Sequence, residues 1–273
     1  MQQLPRKSTD FLVPKTCGFS IPKKSKDFLV PKTCGFSMYP GLSIIDLGLY
    51  LEKEKILVFS DFHLGYEEAM ARSGVLIPRY QFKDTEERLK KIFEKINGKL
   101  NAIVITGDLK HEFGTINRQE WRDVNAILNL FNEYTNKIIL LKGNHDPLLP
   151  SIVKRKGLTI KKTYKIKNKL MMHGDILPEK DVKQEVIIIG HEHPAISLSD
   201  GITTEKVKAF ITGKWKDKTI IVLPSFNLIT EGTNIISDRL LSPFLKDVKD
   251  FEAYAVPEFD KVLYFGKIKD LQT

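Results

Sequence analysis

From residue 44 onward the chain alternates short apolar runs with longer amphipathic stretches, the pattern of strands and helices in a layered α/β fold. One amphipathic stretch begins at Asp84, carries an apolar face and stops at Asn97, so we predict a helix there. A second stretch, residues 117 to 134, is predicted to be a helix with an apolar stripe made of Trp121, Val124, Leu128 and Phe131.

Five of the apolar runs are predicted to be strands, and each one ends in residue types that bind metal ions. The segments after the runs are Asp61-Phe62-His63, Gly107-Asp108, Gly143-Asn144-His145-Asp146, His173-Gly174-Asp175 and Gly190-His191-Glu192-His193. Open α/β sheets bind ligands at the carboxyl ends of their strands, so we expect these segments to converge on one site. All six histidines of the protein lie in or just after these segments. A further run, residues 219 to 223, is predicted to be a strand that ends near the same site.

Composition narrows the class of protein without deciding its function. Of the 273 residues, 42% are apolar and 28% are charged, which excludes a wholly disordered chain, collagen and a membrane bundle. No apolar run has the length of a membrane span, and the N-terminus does not resemble a signal peptide. We therefore predict a cytoplasmic protein with no membrane partner.

The N-terminal segment contains an exact repeat, because DFLVPKTCGFS occurs at residues 10–20 and again at residues 27–37. Two identical copies are fewer than a repeat architecture needs to bury a core. Residues 1–37 also hold seven basic and two acidic residues, which is +5 of the net charge of +9. We predict a poorly ordered extension at residues 1–37 and one folded domain at residues 38–273, with Cys17 and Cys34 as copies that have no role.

The motifs D-x-H, G-D, G-N-H-D, H-G-D and G-H-x-H follow one another in this order, each after a predicted strand. In this respect residues 44 to 236 resemble the calcineurin-like metallophosphoesterase superfamily, and within it small prokaryotic phosphoesterases such as those encoded beside DNA ligases. The resemblance implies an α/β fold of the metallophosphoesterase type, a sandwich of two mixed β-sheets flanked by helices.

The same resemblance implies two divalent metal ions and assigns their ligands. One ion is held by Asp61, His63 and His193, the other by Asn144, His173 and His191, and Asp108 bridges both. A metal-bridging water is the implied nucleophile. His145 is left to stabilise or protonate the leaving oxygen. Mn is the metal that the family favours, and Fe, Zn, Ni and Co are the alternatives. Extended backbone is expected to turn the outer residues of Asp61-Phe62-His63 to one side.

Side chains near the motifs carry less specific signals. Arg72 and Arg79 are candidates for binding substrate, with a solvated surface charge as the alternative for each. His111 either orients the substrate, or orients a group that lies behind the metal ligands, or begins a surface helix. Asp146 and Asp175 are predicted to accept the second ring hydrogen of a nearby histidine, and the alternative is that they cap or turn the backbone. Glu192 is predicted to face away from its neighbouring histidines.

Eight basic residues and no acidic residue lie between Lys154 and Lys169. Apolar residues alternate with several of these bases, which predicts a strand with one basic face. An edge strand protected by lysines is favoured over a track for a phosphate backbone.

The predicted function is a two-metal phosphodiesterase that acts on nucleotides or nucleic acid. A phosphomonoesterase for a small metabolite is the alternative among enzymes, and a catalytically silent binding module is the alternative outside them. Protein dephosphorylation is disfavoured, because Leu109-Lys110-His111-Glu112-Phe113 stands where the protein phosphatases of the superfamily have an Asp and an Arg.

Overall fold

The computed structural model describes residues 35–75, 81–96, 98–112, 118–199 and 204–271. The first strand, β1, spans Phe36–Tyr39 and pairs with β2, so the folded domain begins before the predicted boundary at residue 38. Phe36 packs edge-to-face on Tyr254, with ring centroids 5.8 Å apart, which anchors the strand to the domain. The rest of the predicted extension, including Cys17 and Cys34, lies outside the described residues.

The first sheet follows the order of the chain. Its strands are β1 (Phe36–Tyr39), β2 (Leu42–Ile45), β3 (Gly48–Leu51), β4 (Ile56–Phe59), β5 (Ala102–Ile105), β6 (Ile138–Leu141) and β7 (Ile160–Lys161). Strands β1 to β4 pair antiparallel, whereas β4 to β7 pair parallel. The parallel strands therefore end at one common edge.

The second sheet has the order β14-β11-β12-β13-β10-β9-β8, and β15 joins it beside β12 and pairs in turn with β16. Its strands are β8 (Thr163–Ile166), β9 (Lys169–Met172), β10 (Val186–Ile189), β11 (Pro194–Ser199), β12 (Thr204–Trp215), β13 (Lys218–Val222), β14 (Thr233–Asn234), β15 (Glu252–Glu258) and β16 (Lys261–Lys267). Strands β9, β10 and β13 are parallel. Both sheets are mixed, as the sequence predicts.

Helices flank the sheets. They are α1 (Tyr66–Arg72), α2 (Gln81–Ile96), α3 (Arg118–Tyr134) and α4 (Leu149–Val153), and short 3-10 helices follow at Lys154–Lys156 and Ile268–Leu271. The two predicted long helices are confirmed as α2 and α3, although α2 begins three residues before Asp84. Among the described residues, no helix combines the length and the apolar character that crossing a membrane requires.

The predicted apolar stripe of α3 is wrong at Trp121, which is 44% exposed. Glu120 and Val124 are fully buried instead, and Phe131 continues the same face of the helix. In the first turn of α3, the buried face is therefore occupied by Glu120, where the hydrophobicity pattern predicts Trp121.

The apolar core has two layers, and strand β10 separates them. Val186 and Ile188 pack into the larger cluster, between the two sheets. Ile187 and Ile189 pack into the second cluster, on the outer face of the second sheet. A strand that is buried on both faces is held rigidly, so the residues at its carboxyl end start from a fixed position.

Candidate metal centre

The five strands that were predicted to lead into metal-binding residues are confirmed as β4, β5, β6, β9 and β10. Their carboxyl ends bring donor atoms together in three groups, and within each group the atoms lie within 4.8 Å of one another. One group, formed by His63, His111 and His145, shares His63 with the first of the two described next. The first donor cluster consists of Asp61, His63 and His193, and the second donor cluster consists of Asp108, His173 and His191. The first cluster has the residues that the resemblance assigns to one ion. The second contains two of the three residues assigned to the other ion together with the bridging Asp108, and Asn144 Oδ1 lies beside it.

Several donor residues have left-handed backbone, and this contradicts the extended conformation expected from the sequence. The φ angles are 52° at Asp61, 46° at His63 and 50° at Asp108, and His191 and His193 also have positive φ. This conformation costs a residue with a Cβ about 1–2 kcal/mol, so the surrounding structure has to hold it. The N–H groups of Asp61 and His63 donate to the carbonyls of Gly107 and Asp108, which ties the end of β4 to the end of β5.

In the first donor cluster, His193 Nε2 lies 3.3 Å from Asp61 Oδ1 and 3.3 Å from His63 Nε2. Asp61 Oδ2 accepts hydrogen bonds from the His191 N–H and the Ser60 hydroxyl. Asp61 Oδ1 is buried and has no hydrogen-bond partner among the described residues. An unpartnered carboxylate oxygen at this position, facing two imidazole nitrogens, leaves a donor set that suits a cation.

The backbone around Asp61 is fixed from the second sheet as well. The Ser225 hydroxyl and the Asn227 N–H both donate to the Asp61 carbonyl, at 3.0 and 3.1 Å. Both residues follow β13, which confirms that the run at residues 219 to 223 is a strand ending near the site. Sequence reasoning did not assign a function to Ser225 or Asn227, because a hydrogen bond to a backbone carbonyl leaves no pattern in the chain.

In the second donor cluster, His173 Nε2 lies 3.4 Å from Asp108 Oδ2, 3.2 Å from His191 Nδ1 and 2.9 Å from Asn144 Oδ1. The other ring nitrogen, His173 Nδ1, lies 3.0 Å from the Thr106 carbonyl and donates its hydrogen to it. This contact orients the ring and turns the Nε2 lone pair toward the cluster, as an outer hydrogen bond does for histidines that bind metals.

Asp108 lies between the two clusters. Its Oδ2 is 3.9 Å from His63 Nε2 in the first cluster and 3.4 Å from His173 Nε2 in the second. Its Oδ1 accepts a hydrogen bond from the His145 N–H at 2.8 Å. A carboxylate in this position is suited to bridge two cations.

Burial and charge act on the site in opposite directions. Burial raises the pKa of the Asp61 carboxyl, but the charges of His193, His173 and His63 outweigh it and bring the pKa below its ordinary range. Burial and the neighbouring His193 lower the pKa of His63 to about 3. Burial also lowers the pKa of His173, but Asp108 and Asp61 outweigh it and raise the value to about 9. The carboxylates of the site therefore favour protonation of His173, whereas burial and a neighbouring imidazole disfavour protonation of His63.

The residues present fit a dinuclear site for divalent ions. The donors are carboxylate, amide and imidazole groups, and Asp61 Oδ1 has no hydrogen-bond partner among the described residues and faces the imidazole nitrogens of His193 and His173. This mixture of hard oxygen and intermediate nitrogen donors suits Mn, Fe and Zn alike.

Two further histidines stand beside the first donor cluster. His145 and His63 have ring centroids 4.8 Å apart, and His111 stacks on His145 at 5.4 Å. His145 Nδ1 lies 2.6 Å from the His111 carbonyl and donates to it. His111 does not begin a helix, because its N–H pairs with the Leu64 carbonyl in an extension of the parallel pairing. Tyr66, which sequence reasoning missed, packs edge-to-face on His111 at 4.7 Å.

The predicted role of Asp146 is wrong. Its Oδ2 accepts hydrogen bonds from the N–H groups of Asp108 and Gly143, at 2.8 and 3.1 Å, rather than from a histidine ring. Burial and the neighbouring Asp108 raise the pKa of its carboxyl to about 7. Asp146 therefore turns the backbone of the motif and holds Asp108 in place, which is the alternative that the sequence left open.

The remaining predictions have separate outcomes. Glu192 faces away from the site, as predicted, and accepts hydrogen bonds from the N–H groups of Leu241 and Ser242. Asp175 lies two residues after His173, and its charge adds to the larger effects of Asp108 and Asp61 that raise the pKa of His173. Arg72 is exposed on α1, with its Nε 3.8 Å from Glu68. Arg79 lies outside the described residues.

Comparisons with known proteins identify the family. A family model described as calcineurin-like phosphoesterase matches residues 54–249. The chain belongs to the calcineurin-like phosphoesterase family. This phosphoesterase is therefore a metal-dependent hydrolase, and the resemblance of its motifs to the calcineurin-like superfamily is confirmed. A search of curated proteins found no match.

One solved structure shares the fold at low sequence identity, and two others align with lower TM-scores. Nuclease MPE of Pseudomonas putida aligns at 17% identity with a TM-score of 0.54, over 82% of this chain and 94% of that one. YfcE, a phosphoesterase from E. coli, aligns at 14% identity with a TM-score of 0.35, over 76% and 95% of the two chains. Vps29 of Entamoeba histolytica in complex with zinc aligns at 16% identity with a TM-score of 0.33, over 77% and 96%. At these identities the first alignment supports the fold alone.

Proposed function

We propose that this phosphoesterase is a two-metal phosphodiesterase that acts on nucleotides or nucleic acid. The observation that carries the proposal is the position of Asp108 between the two donor clusters, with His145 directly beside them. Such a site can hold a phosphodiester between two positive charges and supply an acid for the oxygen that leaves.

In the proposal, the first ion is held by Asp61, His63 and His193, the second by Asn144, His173 and His191, and Asp108 is shared by both. When bound, two divalent ions neutralise charge on the phosphoryl oxygens and lower the pKa of a water to about 7, which makes hydroxide available at neutral pH. Mn is proposed as the metal because of the family, and the donor chemistry accommodates Fe and Zn equally.

His145 is the proposed catalytic residue outside the metal ligands. Its Nδ1 donates to the His111 carbonyl and its N–H donates to Asp108, so both its ring and its backbone are held in place. This arrangement directs the opposite nitrogen, Nε2, to the leaving oxygen, which takes a proton from it as the P–O bond breaks. His111, which stacks on His145, is proposed to contact the substrate on the same side.

Two features support a diester of nucleic acid over a small monoester. The fold is shared over most of both chains with a protein whose name is nuclease MPE. Exposed lysines also lie at the end of the sheets that carries the site, as described below, and they favour a substrate with several phosphates. Arg72 and Arg79 remain candidates for binding substrate. A silent binding module is disfavoured because every ligand residue of the motifs is retained. The cytoplasmic location stays a prediction.

The test compares hydrolysis of bis-p-nitrophenyl phosphate with that of p-nitrophenyl phosphate. Purified protein is stripped with chelator and reloaded separately with Mn, Ni, Co, Zn or Mg. We expect the diester to be turned over with the higher kcat/KM, and 2′,3′-cyclic nucleotides and oligonucleotides to be cleaved as well. A preference for the monoester contradicts the diesterase assignment, and absence of hydrolysis with every metal supports the silent module. Asp84→Asn, on the exposed side of α2, serves as the control variant.

A further inference from the structure

The basic run predicted from the sequence does not form a single strand in the structure. Lys161 ends β7, where Leu141 is its parallel partner, and Lys162 stands between β7 and β8. Strand β8 runs antiparallel to β9, and its first residue, Thr163, pairs with Met172, the last residue of β9. Lys161 and Lys162 therefore lie where the chain crosses from the first sheet to the second, at the same end as the donor clusters.

A third lysine joins this pair. Lys142 follows β6 directly, and its N–H donates to the Lys161 carbonyl at 2.8 Å. All three side chains are exposed, and Lys142 precedes Asn144 by two residues. Lys167, by contrast, lies past the far end of β8, where it pairs with Glu54 at 3.4 Å. We name Lys142, Lys161 and Lys162 the lysine seam.

Exposed apolar side chains border the same site. Ile176 is 58% exposed and Leu177 is 42% exposed, and both follow Asp175 in the loop after β9. Leu241 is also exposed, at 69%, and its N–H donates to Glu192, whose carboxylate faces away from the donor clusters. The neighbouring Ser242 hydroxyl donates to the Gly174 carbonyl, so the two loops that carry these side chains are joined. We name Ile176 and Leu177, which follow the second donor cluster closely in the chain, the apolar rim.

The lysine seam and the apolar rim adjoin each other. Lys162 Nζ lies 3.3 Å from Glu179 Oε1, and Glu179 belongs to the loop that carries Ile176 and Leu177. Both charged side chains are exposed, so this ion pair contributes little to stability and gives way readily to another anion. The surface beside the second donor cluster is therefore basic on one side and apolar on the other.

We propose that the lysine seam and the apolar rim together bind an unpaired stretch of nucleic acid that continues from the phosphodiester at the metal centre. This inference rests on the proposed function and specifies its substrate. An unpaired strand presents phosphates to cationic groups and exposes its bases to apolar groups at the same time. In a duplex the base faces are stacked and hidden, so the apolar rim has no partner there. A small phosphomonoester reaches neither surface.

The test measures binding directly, so that it does not depend on turnover. Fluorescence anisotropy reports binding of a labelled oligothymidylate, and of a duplex of the same length, to the Mn-loaded protein with His145→Ala to slow cleavage. We expect the unpaired strand to bind about tenfold more tightly than the duplex at equal salt. Equal or tighter binding of the duplex overturns the proposal, as does the absence of any binding to the unpaired strand.

The lysine seam is tested by its salt dependence. For single strands, each phosphate contact contributes about 0.7 to the slope of log K against log salt concentration, so Lys161→Ala with Lys162→Ala is expected to reduce the slope by roughly 1.4. The matched control is Lys53→Ala with Lys99→Ala, which removes two exposed lysines near the amino ends of β4 and β5. An unchanged slope in the seam variant, or an equal fall in the control, overturns the role of the seam.

The apolar rim is tested by Ile176→Ser with Leu177→Ser, against Ile176→Leu with Leu177→Ile. We expect the serine variant to lose most of the preference for the unpaired strand, about fivefold or more, and the apolar variant to keep it. For hydrolysis, the same substitutions are made in protein that retains His145. Both variants are then expected to hydrolyse bis-p-nitrophenyl phosphate at the wild-type rate, because that substrate ends before the rim. A serine variant with intact preference overturns the role of the rim. If the wild-type protein does not hydrolyse diesters at all, the proposed function is refuted. The preference for the unpaired strand over the duplex then still tests the present inference by itself.

Discussion

The buried carboxylates at the two ends of the parallel strands have different partners. At the amino end, Glu54 Oε1 lies 3.2 Å from Lys169 Nζ and 3.4 Å from Lys167 Nζ, which ties the turn before β4 to the turn before β9. At the carboxyl end, Asp61 Oδ1 is buried without a hydrogen-bond partner in the described part of the chain, and imidazole nitrogens face one another. Each end thus has a carboxylate oxygen without a hydrogen-bond partner among the described residues, Glu54 Oε2 and Asp61 Oδ1 respectively. At the amino end two lysines balance the charge, whereas at the carboxyl end Asp61 Oδ1 faces imidazole nitrogens that can themselves bind a metal ion.

Left-handed backbone occurs at both ends, at Lys55 and Lys167 near the amino end, but it is concentrated among the donor residues. The donor residues Asp61, His63, Asp108, His191 and His193 all have positive φ, which is unfavourable for residues with a Cβ. Five residues with unfavourable backbone conformation therefore lie at one edge of the sheets, and such a concentration is typical of a functional site. Five predictions test the difference between the two ends, from the largest expected effect to the smallest.

Removing the shared carboxylate is expected to have the largest effect. Asp108→Asn keeps the size of the side chain but removes the charge between the two donor clusters. We expect hydrolysis of bis-p-nitrophenyl phosphate to fall on the order of 10³-fold, and bound metal, measured by mass spectrometry, to fall below two ions per chain. Activity within tenfold of wild type contradicts the position of Asp108 at the centre of the site.

His145→Ala is expected to reduce hydrolysis of an alkyl or nucleoside diester about 10²-fold, because the leaving oxygen loses its acid. The fall for bis-p-nitrophenyl phosphate is expected to be smaller, because p-nitrophenolate leaves without a proton. Comparison of the two substrates, with metal content as the control, checks the assignment. An equal loss on both substrates argues against general-acid catalysis by His145.

Metal affinity is expected to rise with pH, by up to about tenfold per unit between pH 7 and 9. The pKa of His173 is raised from 6.5 to about 9, so a proton stabilises the metal-free fold below pH 6.5 and this contribution is lost through pH 9. Metal binding has to displace that proton. Titration calorimetry in buffers with different ionisation enthalpies measures the release, and binding that is independent of both pH and buffer contradicts the prediction.

At the amino end, Glu54→Ala is expected to lower the free energy of unfolding by about 2–3 kcal/mol, because it leaves Lys169, which is only 9% exposed, without its partner. Activity with saturating metal is expected to stay within about twofold, because the substitution is far from the donor clusters. Urea denaturation and diester hydrolysis measure the two effects. A variant that keeps its stability but loses activity contradicts the claim that the amino end serves stability and the carboxyl end serves activity.

The smallest effect is expected at the exposed tryptophan of α3. Trp121→Ala is predicted to change the free energy of unfolding by less than about 0.5 kcal/mol. Phe131→Ala, at a fully buried position on the same helix, is predicted to cost about 3–5 kcal/mol. A large decrease in the free energy of unfolding for Trp121→Ala, measured with denaturant, supports the apolar stripe that the sequence predicts.

Much of the site was predictable because its signals are local. Each of β4, β5, β6, β9 and β10 is an apolar run with its donors immediately after it, and parallel pairing brings such ends together. The helices α2 and α3 were likewise predictable from their apolar periodicity. The donor clusters and the family then followed from the order of the motifs.

The features that sequence reasoning missed depend on tertiary contacts. The carboxylate of Asp146 accepts the backbone N–H of Asp108 from another strand end, and no local pattern distinguishes this from a hydrogen bond to a histidine ring. The left-handed backbone at His63 is imposed by pairing with Asp108. The lysine seam arises because β7 and β8 belong to different sheets, so a run that reads as one strand is divided at the site.

The central claim is that two cations occupy the carboxyl end of the parallel strands. Anomalous diffraction from crystals of the Mn-loaded protein tests it most directly. Two peaks are predicted, one bonded to Asp61, His63 and His193 and the other to Asn144, His173 and His191, with Asp108 in contact with both. Manganese bound elsewhere, with these donors paired only to one another, contradicts the claim.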